Sequence, residues 1–500
     1  MGETKKKGKI PWFLLEVAVI VLFGILLAGR TSGGALPSEA DRALAVSRLW
    51  QAAKEHWCYF DQVEGDWDAA YEQAMEQVMS AKDRRTYIRA LEEFRALLPD
   101  GHGDGMIFNT GVRDMASLPF QLSYMGDAFV VTASISKEIT PGDVLTAIEG
   151  QDPLTWLERE IGPVVSRRTP LARENALASR FQTYFPKGTK VRCTFENAAG
   201  QTYQLTVKSV GRGGSANLLT LTSGGPEEQL LDHPAFRVTR LEGDVFWVKN
   251  LSMLDTSYWD VFCEEVLPLL EGARGVILDL RDNEGGNSAL GSLMLWVLSG
   301  KEPVQSSLET QYALRLSADT TYAGLFTGPA KDILGLDFQD LLGEAGVDVQ
   351  ALLDRGQTMA QGGFLVTGEQ YAAILDLLGE PVLTETGLDT YPRPEEALEL
   401  PLVVLIGPRS GSAVDSTAQI AKDMGIPTLG TRTSGATGDI FLVDLGSGIS
   451  TAFSSHYIYN RSTGTTVNNH GIEAEVFQDY DLSDLRRGVD TQLCRALDLF

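Results

Sequence analysis

The chain has 500 residues, 43% of them hydrophobic and 22% charged, with a formal net charge of −25 at pH 7. This is the composition of a globular protein and excludes a disordered one, and the length calls for two or three domains, because single cores stop growing at about 250–300 residues. The acidity excludes a polyanion-binding surface, so no nucleic-acid partner is expected.

Four cysteines (Cys58, Cys193, Cys263, Cys494) lack the paired C-x-x-C spacing of a structural zinc site. Nothing else in the chain calls for a metal, nucleotide or flavin, and no cofactor is expected. At the N-terminus Lys5, Lys6, Lys7 and Lys9 precede the apolar run Pro11–Gly29, which Glu16 interrupts. A basic flank before an apolar segment stays in the cytoplasm and leaves the remainder outside. The expectation is a cytoplasmic basic segment at 1–10 and a transmembrane signal anchor or a signal peptide at 11–29. The protein would then sit at the cell membrane with its main part extracytoplasmic, or be secreted if the segment is cleaved near Ser32–Ala35.

From 38 to 110 the pattern is helical. Ala43, Leu44, Val46, Leu49, Trp50 and Ala53 recur at helical spacing, followed by Trp67, Tyr71, Ala74, Met75 and Val78, and by a third stripe from Tyr87 to Leu98. Residues 111–213 change texture. Phe129–Ala133 and Val191–Phe195 read as strands, and between them lies Ile139-Thr140-Pro141-Gly142-Asp143-Val144-Leu145-Thr146-Ala147-Ile148-Glu149-Gly150. That turn, strand and turn resembles the pGD-x-I-x-x-I-n-G element of PDZ domains, which implies a PDZ-like domain with a groove that takes a peptide as an added strand.

Residues 230–485 read as an α/β unit. Val245–Val248 and Gly275–Leu280 are expected strands, Tyr258–Leu270 and Ser288–Leu298 helices. Strand Leu402–Ile406, helix Ser412–Met424 and strands near Ile426–Leu429 and Ile440–Leu445 complete it. The window 304–400 reads as a long irregular insertion with helical pieces such as Tyr371–Leu378.

The chemistry concentrates in four places. Arg409-Ser410-Gly411-Ser412-Ala413-Val414-Asp415-Ser416 lies between a buried strand and a helix. A serine there sits at a helix N-terminus, where outward N–H groups stabilise negative charge, and the N–H of Ala413 is a natural oxyanion donor. Ser410 and Ser416 are rivals, and the bland alternative is a helix N-cap. Leu278-Asp279-Leu280-Arg281-Asp282-Asn283-Glu284-Gly285-Gly286-Asn287 ends a strand in a tight turn whose Gly285 and Gly286 amides offer a second donor. Pro99-Asp100-Gly101-His102-Gly103-Asp104 supplies one of only five histidines, an imidazole suited to taking a serine proton. His56, His233, His456 and His470 compete with it. The fourth is Val467-Asn468-Asn469-His470-Gly471-Ile472-Glu473-Ala474-Glu475-Val476.

In this order, "D-G-H", a PDZ-like element, "L-D-L-R-x-N-x-G-G", "S-G-S-A-x-D" and a late "G-I-x-x-E-V" resemble the tail-specific proteases, also called C-terminal processing peptidases, from about Trp50 to Val476. The resemblance implies an α/β fold with a ClpP/crotonase-like core, an N-terminal helical region and a PDZ-like domain. It implies a serine endopeptidase with Ser412 as nucleophile and a peptide or protein as substrate. Ala436 stands where bacterial members carry the lysine of a Ser-Lys dyad. The other branch, similar to the tricorn core protease, uses a histidine from the N-terminal half, a role that falls to His102, with a late carboxylate whose place falls near Asn468. The alternatives are a catalytically inactive peptide-binding protein of the same fold and a non-peptide acyl hydrolase. Oligomeric state, cleavage specificity and the role of 304–400 are not readable from the chain.

Overall fold

The computed structural model describes residues 35–102, 107–109, 116–166, 168–211, 216–302, 304, 306–315, 322–323, 363–367, 394, 396–438 and 440–500. The segments 1–10 and 11–29 and the stretch Tyr371–Leu378 lie outside the described residues. Among the described residues no helix is long and apolar enough to cross a membrane.

Three helices open the fold: Glu39–His56, Trp67–Ser80 and Arg84–Ala96. Ser38, Asp66 and Asp83 cap them, and Asp83 forms a reciprocal capping box with Thr86. The buried face of the first helix is Ala45, Val46, Leu49, Ala52 and Ala53, whereas Leu44, expected in the core, is 47% exposed. Arg42 takes an inward place instead, its guanidinium donating to the C-terminal carbonyls of Val78 (2.6 Å) and Met79 (3.0 Å). This layer does not close on itself. Val443, Leu445, Ile449 and Phe453, from the hairpin Ile440–Gly446 and Ile449–Ser454, complete its core.

Residues 120–208 form a second body around an antiparallel sheet with strands in the order Phe120–Met125, Ala128–Ser134, Val144–Ile148, Lys190–Glu196 and Thr202–Lys208. The expected turn–strand–turn is present: Asp143 N–H donates to Thr140 O at 3.0 Å, Val144–Ile148 is extended, and Gly142 and Gly150 have positive φ. The outer edge of Phe120–Met125 faces helix Ala172–Thr183. Asn175 of that helix accepts from Tyr124 N–H (3.0 Å) and donates to Tyr124 O (3.1 Å), and Leu118 N–H donates to Gln182 O at 2.7 Å. The chain's own helix thus satisfies part of the edge that an added peptide strand would use.

The third body is a seven-stranded sheet in the order Glu227–Asp232, Phe236–Leu241, Val245–Asn250, Gly275–Asp279, Leu402–Ile406, Thr428–Gly430 and Val476–Phe477. The first three strands pair antiparallel and the rest parallel. Every residue of Gly275–Asp279 and Leu402–Ile406 is buried, as parallel strands covered on both faces must be. Helices Ser288–Ser299 and Ala413–Asp423 contribute to one face of the core, and Thr491–Leu497 packs on the other. The helix expected over Tyr258–Leu270 is broken into an α-turn, a π-turn at Phe262–Val266 and a 3₁₀ turn at Leu267–Leu270. Pro268 has no N–H to continue the ladder, which accounts for the change of pitch. Within 304–400 the structure places strands Leu308–Arg315 and Gly363–Thr367, the first paired with His456–Asn460, so part of this window is sheet and not the irregular insertion with helical pieces that was expected.

Candidate active site

The carboxyl ends of three adjacent parallel strands, Gly275–Asp279, Leu402–Ile406 and Thr428–Gly430, open onto one edge of the large sheet, where α/β folds place their ligand sites. The turns leaving these strands are 280–287, 407–412 and 431–438.

Ser412 is the residue before helix Ala413–Asp423, with φ 55° and ψ −119°. A non-glycine residue is held there only by its surroundings, and a sharp strand-to-helix turn of this kind presents a serine hydroxyl. Its backbone N–H donates to Ala436 O, and the preceding Gly411 N–H donates to Asn283 O at 3.3 Å. The sequence offers a helix N-cap as the bland alternative for this serine, yet the Ser412 side chain makes no capping hydrogen bond. The N-cap reading therefore does not account for the hydroxyl. Ser410 is a turn residue: its Oγ donates to Leu280 O (2.8 Å) and accepts from Gly407 N–H (3.0 Å).

Gly285 and Gly286 are not equivalent. Both have positive φ, and a Cβ on Gly285 would stand 2.5 Å from Ser412 Cβ and 2.9 Å from Ala413 N. The turn therefore requires glycine there. The Gly285 N–H is spent on Asn283 Oδ1 at 2.8 Å. Met253 N–H donates to Gly285 O (3.0 Å) and Asn287 N–H to Met253 O (2.8 Å), a parallel bridge centred on Gly286. In such a bridge the central residue's own N–H points to the other side, away from Met253.

The turn is anchored from below. Arg281 is buried between Asp279 (2.7 Å) and Asp490 (2.8 Å) and donates to Tyr480 Oη and Gln492 Oε1, each at 2.9 Å. Burial would raise the Asp279 carboxyl, but the cations of Arg281 and Lys249 hold it well below the ordinary carboxylate range.

His102 follows helix Arg84–Ala96 and is half-buried. Its loop lies against the third turn, since a Cβ on Gly101 would stand 2.7 Å from Gly435 O and 3.2 Å from Ala436 Cα. Ala436 thus touches both halves of the site: its carbonyl takes the Ser412 amide, and its Cα meets the residue beside His102. Asn468 is fully buried and grips the histidine loop by its backbone, accepting from Gly101 N–H (3.1 Å) and donating to Pro99 O (2.7 Å). It was expected to orient the imidazole; both ends of its amide are engaged on the main chain. His470 is exposed, with Nδ1 3.1 Å from Asn468 O. Half-buried His233 accepts from Ala235 N–H, and His456 Nδ1 lies 3.3 Å from Ser455 Oγ. The side chain of His56 lies outside the described residues.

Two carboxylates at the site had no role in the sequence reading. Asp100 is fully buried, pairs with Arg95 (3.2 Å), and accepts from Ser454 Oγ (2.7 Å), Ser454 N–H (2.9 Å) and His102 N–H (3.1 Å). Burial pushes its carboxyl up, but Arg95, the two Ser454 groups and the nearby His102 together hold it below its ordinary value. Asp415 is also fully buried, and burial pushes it up to about 7 despite the Thr433 hydroxyl and neighbouring amides. The signal for Asp100 lay in the D-G-H order; its partner Ser454 is too distant in sequence to be inferred.

Residues 250–477 match the model of peptidase family S41. Among solved structures, mature CPAF complexed with lactacystin aligns over 92% of this chain and 97% of its own at 17% identity and TM-score 0.62. Mature CPAF alone aligns over 92% and 96% at 17% identity and TM-score 0.63. The photosystem II D1 C-terminal processing protease covers 90% of this chain and 98% of its own, at 15% identity and TM-score 0.40. No curated protein sequence matches the chain. The match over 250–477 supports the resemblance to the tail-specific serine peptidases, which form peptidase family S41.

Proposed function

We propose that the chain is a serine endopeptidase in which Ser412 is the nucleophile and His102 the general base. The observation that carries this reading is the strained Ser412 turn, whose hydroxyl caps nothing and whose amide binds the same Ala436 that lies against the histidine loop. Ser412 Oγ attacks the scissile carbonyl carbon while its proton passes to the His102 imidazole. The carbonyl oxygen becomes an oxyanion between the N–H groups of Ala413 and Gly286, each worth about 3 kcal/mol of barrier. The C–N bond then breaks, the imidazolium protonates the leaving amine, and water repeats the sequence to release the acyl group. Ionised Asp100 stabilises the transient imidazolium through space, and Asn468 holds the loop that carries it.

The basic flank and apolar run at 1–29 support membrane association with the catalytic part outside the cytoplasm. The 120–208 body is read as a PDZ-like domain.

Ser412→Ala and His102→Ala are each expected to abolish turnover of an unstructured peptide, and a fluorophosphonate is expected to label wild type at Ser412 and neither variant. Turnover surviving in Ser412→Ala, or label on Ser416, rejects the assignment. Ala436, in the place of a lysine, favours a second reading, a non-catalytic peptide-binding protein. Wild type that takes no label and cleaves no peptide would establish it.

A further inference from the structure

Asp415 lies in the first turn of the helix that follows Ser412, where an acidic residue ordinarily complements the helix N-terminus. Its carboxyl is spent elsewhere. Oδ1 accepts the Thr433 hydroxyl (2.5 Å) and the Gly435 N–H (3.2 Å), both on the turn that carries Ala436. Those two residues reach onward. Thr433 Oγ accepts from Ile472 N–H at 2.7 Å, and Gly435 O accepts from Asn469 N–H at 3.0 Å. The 467–472 loop so held contains Asn468, which grips Pro99 and Gly101. A continuous set of buried hydrogen bonds therefore runs from the serine helix, through Asp415, to the loop of His102.

Close packing leaves this set little slack. A Cβ on Gly435 would stand 2.7 Å from Gly471 N and 2.8 Å from Val467 O, and one on Gly411 would stand 2.6 Å from Ser434 Oγ. The carboxyl has no exposed surface. A buried acceptor that orders two donors on a neighbouring loop fixes that loop as long as both bonds are made, and its removal strands both donors.

We propose that Asp415 is a positioning residue: it holds the 433–436 turn against the Ser412 helix, and through that turn it sets the register between the serine and the histidine. The proposal rests on the Ser412–His102 reading. It requires an acceptor at Oδ1, not a charge, so asparagine should serve and alanine should not. The elevated titration of the carboxyl, driven by burial, is in keeping with a role that does not depend on ionisation.

The test compares wild type, Asp415→Asn, Asp415→Ala and Thr433→Val at pH 7 on one unstructured peptide, with circular dichroism to establish folding. Asp415→Ala is expected to lower kcat about 100-fold with KM within about threefold of wild type, and its fluorophosphonate labelling should slow in parallel. Asp415→Asn should restore kcat to within about tenfold of wild type, since the amide oxygen keeps the acceptor. If Asp415→Ala does not fold, Thr433→Val removes one of the two bonds to Oδ1 and should lower kcat about tenfold. A folded Asp415→Ala or Thr433→Val with wild-type kcat, or an Asp415→Asn no better than alanine, overturns the proposal and leaves the Ser412–His102 reading standing. Wild type without Ser412-dependent turnover removes both.

Discussion

The two halves of the site are built differently. The serine half belongs to the parallel sheet: strand, turn and helix succeed each other within 402–423, and the Gly285–Gly286 turn that faces them leaves the adjacent strand of the same sheet. Its geometry is enforced by backbone contacts over short distances. The histidine half is assembled from remote parts. His102 leaves a helix whose core is completed by the 440–454 hairpin, its Asp100 is satisfied by Arg95 and Ser454, and its loop is gripped by Asn468. The serine half can be rigid and strained because the sheet over-determines it. The histidine half depends on a few buried polar bonds, each of which can fail separately.

Breaking the histidine half at its most buried point gives the largest expected effect. Asp100→Asn removes the negative partner of Arg95, whose side chain is 0% exposed. Breaking a buried ion pair by neutralising one member costs on the order of 3–5 kcal/mol. Urea unfolding should show that loss, and peptide turnover should fall even where the variant is still folded. An Asp100→Asn protein of wild-type stability would mean that the two halves do not differ in this way.

The corresponding blow to the serine half is Gly286→Ala. Gly286 has φ +131°, and a methyl there would collide with the Met253 main chain. The turn must shift, and with it the amide aimed at the oxyanion. The expected loss is about 10²–10³ in kcat. Stability should change less than in Asp100→Asn, because no buried charge is stranded. Equal kcat in the two proteins would remove Gly286 as a donor.

The contrast also decides what could be read from the chain. The serine half was legible because its chemistry and its scaffold are contiguous: apolar strand, small residues, amphipathic helix. Sequence left Gly285 and Gly286 equal, and only the Asn283 side chain separates them, by occupying the first amide. The histidine half was legible only as a residue type in a loop. Nothing local says that Asp100 meets Ser454, and Asn468, placed by resemblance as the orienting group, holds backbone where a ring contact was expected. The helical stripes were readable as stripes, but which face is buried was set by the hairpin that covers them, which is why Leu44 is outside and Arg42 inside. In 304–400 the strands Leu308–Arg315 and Gly363–Thr367 owe their form to partners beyond the local sequence.

Asp415 joins the halves, and its burial makes a signed prediction. Its carboxyl is raised to about 7 in the folded protein from an ordinary 3.8. A group raised on folding contributes stability fully below its unfolded value and loses that contribution as pH rises through its folded value. Wild type should therefore lose ground to Asp415→Asn across the interval from about pH 4 to 7, by at most roughly 1.4 kcal/mol per pH unit. Urea midpoints of the two proteins at pH 5 and pH 8 measure it: the difference, asparagine minus wild type, should grow with pH. A difference that shrinks would show that the folded protein stabilises the carboxylate.

The mildest perturbation acts on the clasp itself. Asn468→Ala frees Pro99 O and Gly101 N–H but strands no charge, so the expected cost is about 1–3 kcal/mol. Because the clasp positions His102 without touching the serine half, the loss should fall on kcat, by about tenfold, while the rate of substrate binding is unchanged. Asn468→Asp discriminates further. A carboxylate still accepts from Gly101 N–H but cannot donate to Pro99 O, so as a clasp it should remain impaired. If instead aspartate raises kcat above wild type, the position acts on the imidazole through charge, and the backbone grip seen here is secondary to that role.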